Sequence, residues 1–408
     1  MRRRRALRWG ALVMAALVGL FLLVLVALVV TWTWRGGFTA GMTAMGRLLR
    51  NGPTQIDDFK HYPSRQLQVS ASPYRFRESP DGWSLPVPVE IGEGAARNLE
   101  DVLQDSDTIA FLVVKGDELI FERYYRGHSR QALSQAFSAS KSITSMLIGA
   151  AIEDGYIQSV EQAVTDFVPE LSGRGFEGVT LEHLLTMTSG STYVENDNPF
   201  GVHVLFNYTP DLEKMMLDFR VVDEPGRVYR YKSGDTALAS LALERALSPL
   251  TISDYMQQRL WEPLGMEGEG IWTVDREGGL EKSLCCLAAT GRDFAKLGRL
   301  YLRQGDWEGK QVLPAEWIQR STQRAGVDPK GWPDDFISIG FWNYGYSWWL
   351  ASEIMGDYLA LGKDGQYIYV NPEFDTVIVR LGWSQGGMAT SGWLRLFQDL
   401  VSEVEVGS

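Results

Sequence analysis

The chain has little cysteine and little histidine, and this scarcity excludes several classes of protein. Its two cysteines are adjacent, Cys285 and Cys286, so they cannot cross-link distant segments, and the sequence predicts no disulfide framework. Two packed thiols are the interpretation we favour, and a bridge between the neighbours outside the cytoplasm is the alternative. The four histidines are scattered without the spacing of metal ligands. We therefore expect no metal site.

Clustered positive charge is missing from most of the chain. The formal net charge is -12, although residues 1–36 contain six arginines and no acidic residue. The rest of the chain is therefore even more acidic than the total indicates. Nucleic-acid binding depends on clustered basic residues, so we expect no nucleic-acid partner. Apolar residues make up 45% of the chain, which is enough for a sizeable core.

One uncharged, mostly aliphatic run covers residues 9–34. It exceeds the roughly 20 residues needed to span a bilayer. Arginines precede it, and Trp9, Trp32 and Trp34 at its ends are typical of interfacial anchors. The positive-inside rule predicts a single-pass protein of the inner membrane with residues 37–408 on the periplasmic, extracytoplasmic side. The alternative is a cleaved signal peptide, but the run is long for one and no small-residue cleavage site follows it.

Three segments follow from this pattern. Residues 1–36 are an arginine-rich tip and membrane anchor, residues 37–85 are a tether broken by glycine and proline, and residues 86–408 form one domain. Strand-like runs at 109–125 and 358–381 enclose a mainly helical middle. The sequence therefore predicts an α+β fold, in which an antiparallel sheet assembled from both ends is flanked by helices and carries an inserted helical region.

Ser138-x-x-Lys141 stands at the start of a predicted helix that ends near Gly155. Residues three apart share a helix face, so the two side chains can touch. A lysine that is partly desolvated near the positive end of the helix dipole favours its neutral form, which can take the serine proton. The spacing alone is weak, because S-x-x-K is common by chance and a polar helix start with a solvated lysine would explain it.

Two more stretches follow in order, Tyr231-Lys232-Ser233 in a loop and Lys363-Asp364-Gly365 at the predicted start of a strand. Together, S-x-x-K, Y-x-S and K-x-G resemble the serine β-lactamase and penicillin-binding-protein superfamily. The resemblance is greatest to the class C β-lactamase branch, which also contains esterases and 6-aminohexanoate-dimer hydrolases. It covers roughly residues 100–400.

The resemblance implies catalysis through an acyl-enzyme. Ser138 would attack a carbonyl, and Lys141 would share or take its proton. Tyr231, a phenol held near lysines, would protonate the leaving group and then activate water. The backbone N–H groups of Ser138 and Gln366 would hold the oxyanion.

The resemblance also implies substrate-binding residues. Ser233 stands where many relatives have asparagine, Lys363 would add positive charge, and Gly365 would let the strand approach the substrate closely. Asp364 replaces the threonine or serine that binds a carboxylate in penicillin-binding members. If it points into the site, it would repel a carboxylate and favour a neutral or cationic ester or amide. Candidates for the pocket are Tyr193, Tyr344 and Trp348, although core packing would equally explain the aromatic stretch 341–349.

The leading hypothesis is a membrane-anchored serine hydrolase that acts on a small ester or amide and needs no cofactor and no metal. The alternatives are a β-lactamase or penicillin-binding DD-peptidase, and a catalytically silent binding or scaffold protein. Two other motifs are interpreted as accidental. Gly382-Trp383-Ser384-Gln385-Gly386 fits a nucleophile elbow, but no histidine follows His203 to serve as its base. Glu182-x-x-Leu185 faintly resembles the deacylating glutamate motif of class A β-lactamases, but Glu182 is expected to be a helix-surface residue. The sequence does not predict the natural substrate or the oligomeric state.

Overall fold

The computed structural model describes residues 2–79, 88–89, 97–325, 341 and 343–406. These residues form two compact units. The helical unit contains the described residues up to Thr54 together with Val194–Asp218. The α+β unit contains Gln55–Tyr193 and the described residues from Phe219 onward.

Helices occur in both units. The α-helices are α1 (Arg2–Gly36), α2 (Phe38–Asn51), α3 (Leu99–Asp105), α4 (Ser140–Glu153), α5 (Val164–Phe167), α6 (Leu181–Leu185), α7 (Val202–Tyr208), α8 (Leu212–Met216), α9 (Ser233–Leu247), α10 (Ile252–Met256), α11 (Gly291–Leu302), α12 (Ala315–Ser321) and α13 (Thr390–Val406). Short 3-10 helices cover Asp58–Lys60, Phe137–Ala139, Pro169–Leu171, Phe176–Gly178 and Lys363–Gly365, and a π-helix covers Gln257–Trp261.

Most of the strands come from the two ends of the α+β unit. They are β1 (Ser64–Leu67), β2 (Arg77–Glu78), β3 (Pro88–Val89), β4 (Arg97–Asn98), β5 (Thr108–Lys115), β6 (Glu118–Tyr124), β7 (Ser134–Gln135), β8 (Gly270–Thr273), β9 (Leu287–Ala289), β10 (Asp306–Trp307), β11 (Lys310–Gln311), β12 (Asn343–Tyr344), β13 (Trp349–Leu350), β14 (Tyr358–Gly362), β15 (Gln366–Asn371) and β16 (Thr376–Gly382).

The main sheet contains eight strands in the order β12-β13-β14-β15-β16-β5-β6-β2. Neighbouring strands are antiparallel except β2, which runs parallel to β6. The C-terminal strand β16 pairs with the N-terminal strand β5 at the centre of the sheet. The prediction of an antiparallel sheet assembled from both ends around a helical middle is confirmed.

Helices cover both faces of this sheet. Successive strand residues point to opposite faces, so neighbours in β5 meet different helices. Leu112 faces α11, where a Cβ at Gly291 would lie 2.8 Å from its Cδ1 atom. Phe111 faces α13, and its ring centroid lies 6.2 Å from that of Phe397. This burial on both faces explains why β5 is almost continuously apolar.

A second antiparallel sheet has the order β1-β8-β9-β7 and ends at the strand that leads into Ser138. Its edge strand β1 lies in the segment 37–85, which was expected to be a tether. That segment, the predicted tether and lead-in, also contains α2. The predicted boundary between residues 85 and 86 lies outside the described residues.

Within α1, Val13–Trp34 is long and apolar enough to cross a membrane, and little of it is buried. A signal sequence near an N-terminus can meet the same criteria of length and hydropathy.

Candidate active site

Ser138 lies in the 3-10 turn between β7 and α4. The preceding Phe137 has φ +46°, in the left-handed region that non-glycine residues rarely adopt. Such strained residues often occur at functional sites. Phe137, Ala139 and Ser140 are buried, whereas Ser138 is partly exposed. The turn therefore presents the Ser138 hydroxyl at the surface of an otherwise buried segment.

Lys141, in the first turn of α4, is only 1% exposed. Its Nζ atom donates to Ser138 Oγ at 2.7 Å and to the Leu284 carbonyl oxygen at 2.7 Å. The contact expected from the S-x-x-K spacing is thus present. The sequence analysis missed Leu284, because a backbone carbonyl leaves no signature in side-chain patterns.

The ring of Tyr231 lies beside this lysine. Lys141 Nζ is 5.2 Å from the ring centroid. Trp349 stacks against the ring at 5.4 Å with an interplanar angle of 26°, and Tyr344 meets it edge-on at 6.2 Å. The structure thus brings Ser138, Lys141 and Tyr231 together and encloses the tyrosine with aromatic side chains.

A buried polar cluster supports the segment that carries Tyr231 and Ser233. Ser233 begins α9 and is buried. Asp235, which is fully buried, accepts hydrogen bonds from Ser189 Oγ at 2.7 Å and Ser191 Oγ at 3.1 Å. Lys232 Nζ donates to the Ser191 carbonyl at 2.5 Å. These bonds join the start of α9 to the Ser189–Ser191 turn, so we interpret Asp235 as a positioning residue that the sequence analysis missed.

Burial dominates the electrostatics of this cluster. Desolvation raises the pKa of the Asp235 carboxyl to about 6, although the neighbouring Lys232 and the serine hydroxyls oppose that rise. Desolvation likewise lowers the pKa of the Lys232 amine, partly offset by Asp235.

The two cysteines are joined in a disulfide, where two packed thiols were expected. Cys286 has φ +78°, and this backbone conformation accompanies the bond between adjacent residues. The neighbouring residues contact α4: Leu284 accepts from Lys141, and Leu287 N donates to Ser140 Oγ at 3.2 Å. The disulfide therefore lies in the segment that holds the catalytic lysine candidate.

Lys363, Asp364 and Gly365 form the turn between β14 and β15, not the start of a strand as predicted. Asp364 has φ +61° and Gly365 φ +77°, which suits a tight turn. Burial raises the pKa of the Asp364 carboxyl, whose Oδ2 lies 3.9 Å from Lys363 Nζ. Lys363 itself is half-exposed beside the Phe137 ring, 5.7 Å from its centroid.

A close contact with the segment before Ser138 occurs at Gly362. A Cβ at Gly362 would lie 2.1 Å from the Ala136 carbonyl oxygen, just before the Ser138 turn. A Cβ at Gly365 would instead meet the Arg380 guanidinium at 2.0 Å. The residues that precede the close-packed glycine on its strand are therefore the apolar Ala360 and Leu361.

The remaining oxyanion candidate, Gln366, is buried opposite Gly362 in the β14–β15 pair. Its side chain donates to the Gly382 carbonyl at 2.7 Å. The turn beside it is fastened by Arg380, which is fully buried and donates to the Gly365 carbonyl at 2.7 Å. Arg380 was missed, although a lone arginine in an apolar strand was an available signal.

The aromatic pocket candidates have different locations. Tyr344 contacts Tyr231, as described above. Trp348 is fully buried against Tyr301, with ring centroids 4.2 Å apart, so core packing explains it. Tyr193 is also buried, and a Cβ at Gly234 would lie 2.5 Å from its ring. Tyr193 therefore packs against the first turn of α9. Trp342 of the same aromatic stretch lies outside the described residues.

The two motifs interpreted as accidental have structural contacts of their own. Ser384 Oγ donates to Asp107 Oδ2 at 2.7 Å. Glu182 lies on α6 with its side chain 40% exposed, and the Tyr346 hydroxyl donates to it. Within the described part of the chain, no group of three or more His, Cys, Asp or Glu side chains is arranged to hold a metal ion.

The raised pKa of Asp235 predicts a pH dependence of stability. Between pH 3.8 and about 6 the unfolded carboxyl has lost its proton while the folded one retains it. The wild-type chain should therefore lose stability as pH rises through that window, and this loss should be smaller in Asp235→Asn. Thermal unfolding of the detergent-solubilised chain at stepped pH measures it, with the exposed Asp166→Asn as control. Equal slopes in wild type and Asp235→Asn would contradict the prediction.

Comparisons with known proteins identify the family of the chain. The family model described as Beta-lactamase matches residues 96–392. The chain is 28% identical over 299 residues to a 6-aminohexanoate-dimer hydrolase of Paenarthrobacter ureafaciens, covering 70% of this chain and 74% of the relative. It is 27% identical over 161 residues to a lovastatin esterase of Penicillium rubens, covering 34% of this chain and 40% of the relative.

Solved structures show the same fold. A Bacillus anthracis protein provisionally described as a 6-aminohexanoate-dimer hydrolase has a TM-score of 0.73 at 21% identity, covering 86% of this chain and 92% of that one. A D-stereospecific amidohydrolase from Streptomyces has a TM-score of 0.54 at 15% identity, covering 74% and 95%. With a family model matched over most of its length and this fold around Ser138, the chain belongs to the beta-lactamase family and is a hydrolase of the serine type.

Proposed function

We propose that this protein hydrolyses a small ester or amide through an acyl-enzyme on Ser138. The observation that carries the proposal is the position of Lys141 Nζ, 2.7 Å from both Ser138 Oγ and the Leu284 carbonyl. A neutral amine that donates one N–H to Leu284 can direct its lone pair at the serine hydroxyl. Lys141 would then take the Ser138 proton as the oxygen attacks the substrate carbonyl.

Tyr231 would complete the proton transfers. Its ring stacks on Trp349 and lies 5.2 Å from Lys141 Nζ, which supports a role for its hydroxyl in these transfers. It would protonate the departing alcohol or amine and later activate the water that releases the acyl group.

The oxyanion would be held by two backbone N–H groups, one from Ser138 and one from the turn that follows Gly362. The resemblance assigns the second donor to Gln366. Gly362 packs against Ala136, just before Ser138, and Lys363 is the next residue in the chain. The Lys363 N–H group is therefore the alternative second donor.

The surroundings favour a neutral or cationic substrate. Leu361 and Tyr231 border the same apolar cluster as Tyr344 and Trp349, which suits an apolar acyl group. Ala360 and Leu361 precede Gly362 on β14, close to the segment that leads to Ser138. Neither side chain can form a hydrogen bond with a carboxylate. Asp364, with Lys363 and Ser233, would act at the polar end of the substrate. The similarity to a 6-aminohexanoate-dimer hydrolase and to a lovastatin esterase supports keeping both bond types in the proposal.

A β-lactamase or DD-peptidase is the second candidate. The observation in its favour is 30% identity over 136 residues to a beta-lactamase of Escherichia coli, although this covers 33% of the chain. A silent scaffold is the third, and the retained contact between Ser138 and Lys141 argues against it.

We also propose that Val13–Trp34 is a membrane anchor with the α+β unit on the extracytoplasmic side. The arginines before the span and the absence of acidic residues in 1–36 support this orientation.

The three central residues predict a graded loss of turnover of a short p-nitrophenyl ester. Ser138→Ala should abolish it, and Lys141→Ala and Tyr231→Phe should each reduce kcat on the order of a hundredfold or more, as expected for positioned acid/base groups. Ser384→Ala is the matched control and should retain turnover. Wild-type rates in Ser138→Ala would refute the proposal.

The disulfide predicts a redox-sensitive rate. A Cys285→Ala/Cys286→Ala variant should lower kcat by about tenfold with little change in KM, since the Leu284 carbonyl would orient Lys141 less well. A dithiol reductant should have the same effect on the wild type and none on the double variant. Full turnover by chains shown by mass spectrometry to be reduced would contradict this role.

The substrate class predicts a selective profile. The wild type should cleave a p-nitrophenyl ester or a linear ω-amino amide and leave a chromogenic cephalosporin intact. Efficient cephalosporin cleavage that Ser138→Ala abolishes would favour the β-lactamase alternative. If Asp364 faces the substrate, Asp364→Asn should increase the rate on carboxylate-bearing substrates specifically.

A further inference from the structure

Helix α2 has an apolar face that the rest of the helical unit leaves uncovered. Phe38, Met42 and Leu49 are 74%, 44% and 61% exposed and recur at helical spacing on one side. Gly46 completes this stripe. The opposite side, with Gly41, Ala44 and Met45, is buried.

The buried side of α2 is held firmly, so the orientation of the exposed stripe is fixed. Gly41 packs against the end of α1, where an added Cβ would lie 2.6 Å from Thr33 N. Arg47 donates to the carbonyls of Tyr208 and Thr209 at 3.0 and 2.9 Å, at the C-terminal end of α7. The Tyr208 hydroxyl donates to the Gly52 carbonyl at 3.0 Å.

The end of α1 is part of the core of this unit. Trp32 is fully buried, donates from Nε1 to the Pro199 carbonyl at 2.9 Å and stacks with Tyr208 at 6.1 Å. Removal of α1 as a signal peptide would take away this core side chain. The packing therefore favours an anchor that is retained.

The segment 194–218 supplies the partners of α1 and α2, and its two ends meet. Thr192 N donates to the Arg220 carbonyl at 2.8 Å, and Ser191 forms a β-bridge with Val221. The segment 194–218 thus leaves the α+β unit and returns to it at one place. Between these two points it packs against α1 and α2.

We infer that the stripe Phe38–Met42–Leu49 lies in the lipid headgroup region of the leaflet where α1 ends. The inference rests on the proposed membrane span. If Val13–Trp34 crosses the bilayer, Phe38 follows its last residue by about one helical turn, so α2 must start at the membrane surface. Apolar side chains on an amphipathic surface helix enter the boundary between headgroups and acyl chains.

Charge also favours lipid as the occupant of this face. Arg50 is exposed at the end of the helix, next to Leu49, and no acidic residue occurs in α2. A cationic residue beside an apolar stripe suits anionic phospholipids. Lipid contact would hold the whole helical unit, including 194–218, at the membrane surface.

Depth-dependent quenching in the full chain tests the inference. The probe is an NBD group on Met42→Cys, reconstituted in vesicles of phosphatidylethanolamine and phosphatidylglycerol with nitroxide-labelled lipid. Leu23→Cys, at mid-span and 69% exposed, is the positive control, and Lys60→Cys is the aqueous control. Wild type without an introduced cysteine is the blank, since its cysteines are paired.

We expect the Met42→Cys probe to be quenched most by nitroxides near the headgroup, the Leu23→Cys probe most by nitroxides at the chain ends, and the Lys60→Cys probe by neither. An unquenched Met42→Cys probe beside a quenched Leu23→Cys probe would overturn the inference and leave the span intact. A blue-shifted but unquenched Met42→Cys probe would assign the stripe to a protein partner and equally overturn it. An unquenched Leu23→Cys probe would reject the span and the inference together, without bearing on Ser138 chemistry.

Discussion

The candidate active site depends on one buried amine. Lys141 is placed between Ser138 Oγ and the Leu284 carbonyl, at 2.7 Å from each, with the Tyr231 ring beside it. Taking a lysine out of water disfavours its charged form, and an amine without that proton can receive one from Ser138. The catalytic proposal follows from this placement, because a solvated lysine would hold its proton at neutral pH.

Much of the surrounding structure keeps that amine and its partners in position. The Cys285–Cys286 segment supplies the Leu284 carbonyl, the Asp235 cluster anchors the start of the Tyr231 segment and α9, and Arg380 fastens the turn after Gly362. Each support uses buried polar groups, which are costly unless they are paired. Buried polar networks of this kind specify one arrangement of the chain, as a site that positions protons requires.

The sequence predicted the central pair and the sheet better than the periphery of the site. Helical spacing was enough to bring Ser138 and Lys141 together, and continuous apolar runs were enough for β5 and β16. The K-x-G stretch was predicted at the start of a strand and forms a turn, because three letters do not distinguish a strand from a turn. Trp348 was selected in place of Trp349 because the aromatic stretch did not show which residues face Tyr231. Adjacent residues near a strand point to opposite sides.

The most direct test of the account is rapid-quench mass spectrometry of the protein with a short p-nitrophenyl ester. The p-nitrophenolate leaving group needs little protonation, so acylation should survive in Tyr231→Phe while deacylation slows. We predict an acyl adduct on the peptide that contains Ser138, and its accumulation in Tyr231→Phe. An adduct on a different residue, or no adduct in either protein despite turnover by the wild type, would contradict the acyl-enzyme on Ser138.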